Sequence, residues 1–192
     1  SIAQAIFDPM LGYDFLARPA KLVGNTASLP EITDGGTTYT LRVKPGIRFA
    51  DDPAFKAKPR ELTAHDYVYA WKRLLDPRMR SPYLWYLNGK LAGAEPLLAK
   101  AKADGRLDYD AEIPGLKAID RYTIRLELVE PDYVLQGYLT QVGMAAVARE
   151  VVEAYGDASG WVMANPVGTG PYRLKEWRRG QRIVLEANPG YR

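Results

Sequence analysis

Apolar positions along this chain recur at two periods, and the change from one to the other marks the elements. Tyr39, Leu41 and Val43 alternate with polar residues, which predicts a strand over residues 37–43. Lys44-Pro45-Gly46-Ile47 carries the Pro-Gly signature of a type II turn, and Ile47 and Phe49 resume the alternation, so a tight pair of strands is expected there. Asp34-Gly35-Gly36 is an earlier turn. A second hairpin is predicted from Leu116 to Leu128, turning at Asp120-Arg121, with Ile124, Leu126 and Leu128 on one face. A third spans Tyr172 to Ala187. Tyr172 and Leu174 oppose Arg173 and Lys175, Arg178-Arg179-Gly180-Gln181 turns, and Ile183, Leu185 and Ala187 alternate with Val184, Glu186 and Asn188. That ribbon is expected to carry one apolar face.

The helical period appears elsewhere. Ile2, Ala5, Ile6 and Met10 predict a short helix through about Phe7. The strongest helix begins at Thr63, with Asp66 placed for a capping box, and shows a stripe of Tyr67, Val68, Trp71, Leu74 and Leu75 before Asp76-Pro77 stops it. Shorter helices are predicted over 94–103, 133–138 and 148–155, the last ended by Gly156. Asp157 to Ala164 reads as a linker, and no internal repeat or low-complexity tract interrupts the chain.

The linker leads into the most constrained stretch, Asn165-Pro166-Val167-Gly168-Thr169-Gly170-Pro171-Tyr172. Proline fixes φ and glycine frees it, so this is a stiff, sharply turned entry to the third hairpin. It is not a phosphate loop. A dinucleotide site needs G-x-G-x-x-G between a strand and a helix, whereas here Pro171 removes a donor, Arg173 stands at the third glycine position, and a strand follows.

Composition narrows the chemistry. The 192 residues are 47% hydrophobic and 26% charged, an ordinary globular balance for one domain or slightly more. The net charge of +3 comes from 26 basic and 23 acidic residues that are interleaved, which gives nucleic-acid binding no support. With no cysteine there is no disulfide or thiolate chemistry, and the one histidine, His65, falls opposite the apolar stripe of its helix, as a solvated side chain. The pair Asp51/Asp52 lies in a long polar loop with no histidine nearby in sequence, so neither a metal nor an acid–base site is expected there. The longest apolar run, Val142 to Ala148, is too short to span a bilayer, which takes about 20 residues. Ser1 leads directly into apolar positions without a signal peptide and Arg192 ends a strand, which together suggest a piece of a longer chain.

Four segments carry a resemblance. LTAHDYVYAWKRLLDP (62–77), LKAIDRYTIRLEL (116–128), NPVGTGPY (165–172) and IVLEANPGY (183–191) occur in the order found in the peptide/nickel family of extracellular solute-binding proteins, the oligopeptide- and dipeptide-binding components of ABC importers. Phe7 to Asp14 is similar to the family's opening segment, while ADDPAFKAKPR (50–60) is longer than the family's usual turn. The resemblance implies an α+β fold, part of a type II periplasmic-binding-protein-like clamshell with hairpins and sheet covered by helices. It places residues 1–7 and 164–192 in the first lobe, residues 8–163 in an accessory domain inserted in that lobe, and the second lobe beyond residue 192.

Function follows from the same resemblance. The protein would capture oligopeptides, dipeptides or a related solute in the periplasm, or outside the cell on a lipid anchor, and deliver it to membrane permease subunits. It would need no cofactor and no metal, would bind no nucleic acid, and would not itself span the membrane. Ser81-Pro82-Tyr83-Leu84-Trp85-Tyr86-Leu87 puts three aromatics in four residues. By family position Tyr83 faces the ligand and hydrogen-bonds peptide backbone, while Trp85 and Tyr86 read as packing. Asn165, Pro166, Gly168, Thr169, Gly170, Pro171 and Tyr172 are expected to be structural. Two other classes remain open at this point: a solute-sensing domain of a transcriptional regulator, which an upstream helix-turn-helix would favour, and a hydrolytic enzyme. The enzyme lacks the nucleophile–base or paired-carboxylate constellation it would need.

Overall fold

A computed structural model describes residues 1–156 and 161–192. The start of the expected linker, 157–160, lies outside the described residues, and its end, Trp161–Ala164, is a short helix. In chain order the elements are α1 (Ile2–Ile6), β1 (Leu11–Asp14), β2 (Lys21–Gly24), β3 (Glu31–Thr33), β4 (Thr38–Arg42), α2 (Ala64–Leu75), α3 (Glu95–Asp104), β5 (Leu116–Ala118), β6 (Thr123–Glu127), α4 (Leu135–Tyr138), α5 (Arg149–Tyr155), α6 (Trp161–Ala164), β7 (Tyr172–Arg178) and β8 (Arg182–Ala187).

The core is a four-stranded antiparallel sheet, ordered β3-β4-β6-β5, under α2. Strict alternation makes it two-faced. Tyr39 pairs with Leu126 and Leu41 with Ile124, all fully buried, whereas Thr38 pairs with Glu127 and Thr40 with Arg125 on the opposite face. Each fully buried apolar side chain contributes about 1.5–3 kcal/mol relative to exposure. α2 lies on the apolar face, with Tyr67 and Trp71 at 0% exposure and Trp71 Nε1 donating to the Met144 carbonyl at 2.9 Å. The Asp66 half of the capping box forms, since Thr63 N–H donates to Asp66 Oδ2 at 2.8 Å. The helix is buried well beyond the expected stripe. Tyr69, Asp66 and Lys72 are also covered, and Lys72 Nζ donates to the carbonyls of Tyr109 and Ala111. Burial holds the Lys72 ammonium below its ordinary pKa.

The hairpin expected at Pro45-Gly46 does not form. Gly46 has the left-handed φ of +86° that the turn requires, but β4 already has β3 on one edge and β6 on the other. Residues 47–49 pair instead with 60–62, through Leu62 N–H to Ile47 O at 2.7 Å and Phe49 N–H to Arg60 O at 2.9 Å. Ile47 and Phe49 are buried all the same. The intervening loop holds Lys56 and Ala57 at φ of 53° and 60°. A left-handed non-glycine residue costs roughly 1–2 kcal/mol. Ala57 is exposed, so Ala57→Gly is expected to raise stability by about 0.5–1 kcal/mol in urea unfolding, the released strain exceeding the added chain entropy.

The terminal ribbon β7–β8 forms with its turn at Gly180, φ +73°. Neither face of it is buried within this chain. A bulge between Leu174 and Glu176 changes its register. It puts Leu174 and Trp177, three residues apart, on the face that also carries Ile183, where simple alternation would have divided them.

Candidate functional site

The site is built around α1 and the loop that feeds β7. Ser1 and Gln4 close a capping box at the start of α1, and its far end is received by the Asn165–Tyr172 loop. Gly170 N–H donates to Ile6 O at 2.8 Å, and Ala50 N–H donates to Gly168 O at 2.9 Å. Val167, Gly168, Thr169 and Gly170 are buried, Asn165, Pro166 and Pro171 are half-buried, and Tyr172 is exposed. Neither Gly168 nor Gly170 uses the left-handed region. They are required for space: a Cβ on Gly168 would sit 2.2 Å from Ile6 O, and one on Gly170 would sit 2.6 Å from Ala5 O. Asn188 ties the far end of the ribbon back by donating from Nδ2 to Gly170 O at 3.0 Å.

Two cavities flank α1 and share Ala3, Phe7, Arg73 and Val147 as a common wall. The first, about 390 Å³, lies under the apolar face of the ribbon, against Ile2, Ile6, Val151, Val167, Leu174, Trp177 and Ile183. The second, about 370 Å³, is lined by Leu74, Met79, Ser81, Pro82, Tyr83, Val142 and Gly143. Among the described residues no carboxylate and no imidazole lines either cavity. The loop of the terminal motif and Tyr83 thus stand on adjoining cavities, separated by one side of α1.

Tyr83 is 38% exposed, and its hydroxyl makes no hydrogen bond among the described residues. Its ring is the first of a file of aromatics. Tyr83 and Tyr86 stack at 5.6 Å, and Tyr86 and Tyr138 at 4.9 Å. Burial, together with Tyr83 and Tyr138, pushes the Tyr86 phenol up. Lys90 Nζ lies 4.7 Å from the Tyr138 ring centroid and 3.0 Å from Asp132 Oδ2. Burial would raise the Asp132 carboxyl, but the bonds from Lys90 and from the Leu135 and Val134 N–H groups outweigh it and hold the carboxyl below the usual range. Trp85, read from sequence as packing, is 56% exposed and leans edge-on against Tyr138 at 5.1 Å. The 3₁₀ turn over Leu84–Tyr86 is the cause, because its tight period points Tyr86 inward and its neighbour out.

Other candidates resolve as structure. His65 is exposed. Asp52 caps a 3₁₀ turn through Ala54 N–H and accepts the Tyr155 hydroxyl at 2.9 Å, while Asp51 lines a surface cavity with Arg48 and Lys58. Among the described residues no group of three or more acidic, histidine or cysteine side chains could hold a metal. Sequence reasoning missed Arg60, which has no motif signal. Its guanidinium reaches both Asp66 and Glu150 and lies over the Phe49 ring at 5.5 Å.

Comparison with known proteins adds a family. Residues 21–192 match the model of the bacterial extracellular solute-binding proteins, family 5. The chain is 39% identical over 132 residues to the periplasmic oligopeptide-binding protein OppA of Salmonella typhimurium, covering 68% of this chain and 23% of that protein. To the protein of the same name in Escherichia coli it is 30% identical over 193 residues, covering 100% of this chain and 32% of that one. Among solved structures, Haemophilus influenzae OppA in complex with RPPGFSPFR superposes with a TM-score of 0.75 at 27% identity, over 99% of this chain and 34% of that one. The chain therefore spans a third or less of the length of these relatives.

Proposed function

This chain belongs to the bacterial extracellular solute-binding proteins of family 5, and from that premise we propose that it is the peptide-capturing part of an ABC importer's binding protein. Residues 1–7 and 164–192 are assigned to the first lobe, and residues 8–163 to an accessory domain carried on it. A second lobe closes over the ligand, and closure is stabilised because the closed state makes the better contacts. The closed form then docks on permease subunits, in the periplasm or at an outer cell surface. No helix among the described residues is long and apolar enough to cross a membrane.

The observation that carries this reading is the Tyr83 hydroxyl, unpartnered among the described residues, at a cavity that no described carboxylate or imidazole lines. Such a site can enclose a solute and hydrogen-bond it. The neighbouring apolar cavity under β7–β8 suits an element of the remaining first lobe.

Calorimetry with trialanine separates the possibilities. Residues 1–192 alone are expected to show no saturable binding up to about 1 mM, and the protein extended through a second lobe to bind near 1 µM, a difference of about 4 kcal/mol. Tight binding by residues 1–192 would overturn the two-lobe assignment. No binding by the extended protein would overturn the peptide reading.

A further inference from the structure

The Tyr83 ring is bounded by two neighbours. Tyr86 lies nearly parallel to it, with an interplanar angle of 11°, and Tyr86 is itself buried and backed by Tyr138. The other neighbour is Gly143. A Cβ there would meet Tyr83 Cγ and Cδ2 at 2.7 Å and Cδ1 at 3.0 Å. Near-equal distances to three atoms at the base of the ring put Gly143 over its face, not at its rim. Carbon atoms pack best at about 3.5–4.0 Å, so no methyl fits there with the ring in place. Gly143 has a φ outside the left-handed region, a backbone that alanine also adopts. Backbone conformation does not call for glycine at 143; the tyrosine ring, which supplies the three nearest atoms, does.

We propose that Gly143 is the positioning residue for Tyr83: by presenting bare backbone to its face it lets the ring settle beside Tyr86, and so sets where the hydroxyl stands at the second cavity. This rests on the peptide-binding reading above. Any side chain at 143 drives the ring outward, because Tyr83 is exposed at the N-cap of the Leu84–Tyr86 turn while Gly143 sits in the turn Val142–Met144 and adjoins buried Met144. The hydroxyl then leaves the place where it would meet peptide backbone, although the residue that bears it is intact.

Two measurements test this independently. In thermal unfolding of residues 1–192, Gly143→Ala is expected to lower Tm by about 4 °C in the presence of Tyr83 and by no more than about 1 °C in a Tyr83→Ala background, where the ring is gone. An equal loss in both backgrounds would overturn the contact. In the extended protein, Tyr83→Phe and Gly143→Ala are each expected to weaken trialanine binding about tenfold, and the double variant no further. If Tyr83→Phe weakens binding and Gly143→Ala does not, the positioning role fails and the peptide reading stands. If Tyr83→Phe has no effect, Tyr83 is not a ligand contact and the positioning role falls with it, whatever the unfolding data show.

Discussion

Gly168→Ala is expected to lower the melting temperature by about 8 °C. Small-to-large substitutions in packed sites cost about 1–3 kcal/mol, and each kcal/mol is worth about 2–4 °C at this size. The estimate sits at the upper end because the opposing atom is backbone. The new Cβ would stand 2.2 Å from the Ile6 carbonyl oxygen, and a carbonyl cannot swing aside as a side chain can. α1 must lift instead, taking Ile6, now 1% exposed, out of its seat and breaking the bond from Gly170 N–H to Ile6 O. Gly12 supplies the control. A Cβ there meets nothing within 4 Å and its φ lies outside the left-handed region, so Gly12→Ala should change stability by less than about 0.5 kcal/mol. Thermal unfolding followed by circular dichroism reads both. Equal Tm values for the two variants would mean that the loop does not clamp the helix.

Arg60→Met should destabilise the protein by about 3 kcal/mol. Arg60 donates to both oxygens of Asp66, at 2.6 and 3.0 Å, and to both of Glu150, at 2.6 and 3.1 Å. The Asp66 side chain is 3% exposed, so removing the guanidinium leaves a buried carboxylate with only the Thr63 groups for company. Breaking a buried pair in this way costs about 3–5 kcal/mol, more than the pair itself contributes. Methionine keeps an unbranched side chain while removing the charge and, with it, the guanidinium's place over the Phe49 ring. A pH signature accompanies the change. The hydrogen bond from Arg60 holds the Glu150 carboxyl below its ordinary value, against the smaller opposing effect of burial. A depressed carboxylate stabilises the fold fully above its unfolded pKa of about 4.3 and loses that contribution as pH falls through the folded value. Urea unfolding of the native sequence should therefore weaken below about pH 4, and the Arg60→Met profile should be flatter there. Parallel profiles would show that Glu150 draws nothing from Arg60.

Much of this architecture can be read from residue order. The alternation at Tyr39, Leu41 and Val43 and at Ile124, Leu126 and Leu128 is local, and both strands appear where it places them. The Thr63–Asp66 cap and the Gly156 stop are equally local. What escapes is competition and space. Pro45-Gly46 makes its turn, yet the strand after it is turned away because both edges of β4 are taken from residues 31–33 and 123–127. Gly168 and Gly170 invite an explanation from backbone freedom, but the structure shows a crowding that only the arrival of α1 creates. The bulge at Lys175 depends on the strand that returns beside it, and the network at Arg60 on Glu150, 90 residues away. At the candidate site, family resemblance singled out Tyr83, but nothing in the sequence around Gly143 shows that it carries the ring.

Asp8 and Arg192 meet at 2.8 Å, with Arg192 also donating to Asn25 at 2.7 Å. Together with the loop's grip on α1, this brings the two ends of the chain to a single seam while the sheet and α2 lie between them in sequence. Tension applied at both ends would run across that seam and leave the sheet unloaded. The sheet and α2 would therefore keep their internal register while the seam alone takes up the strain.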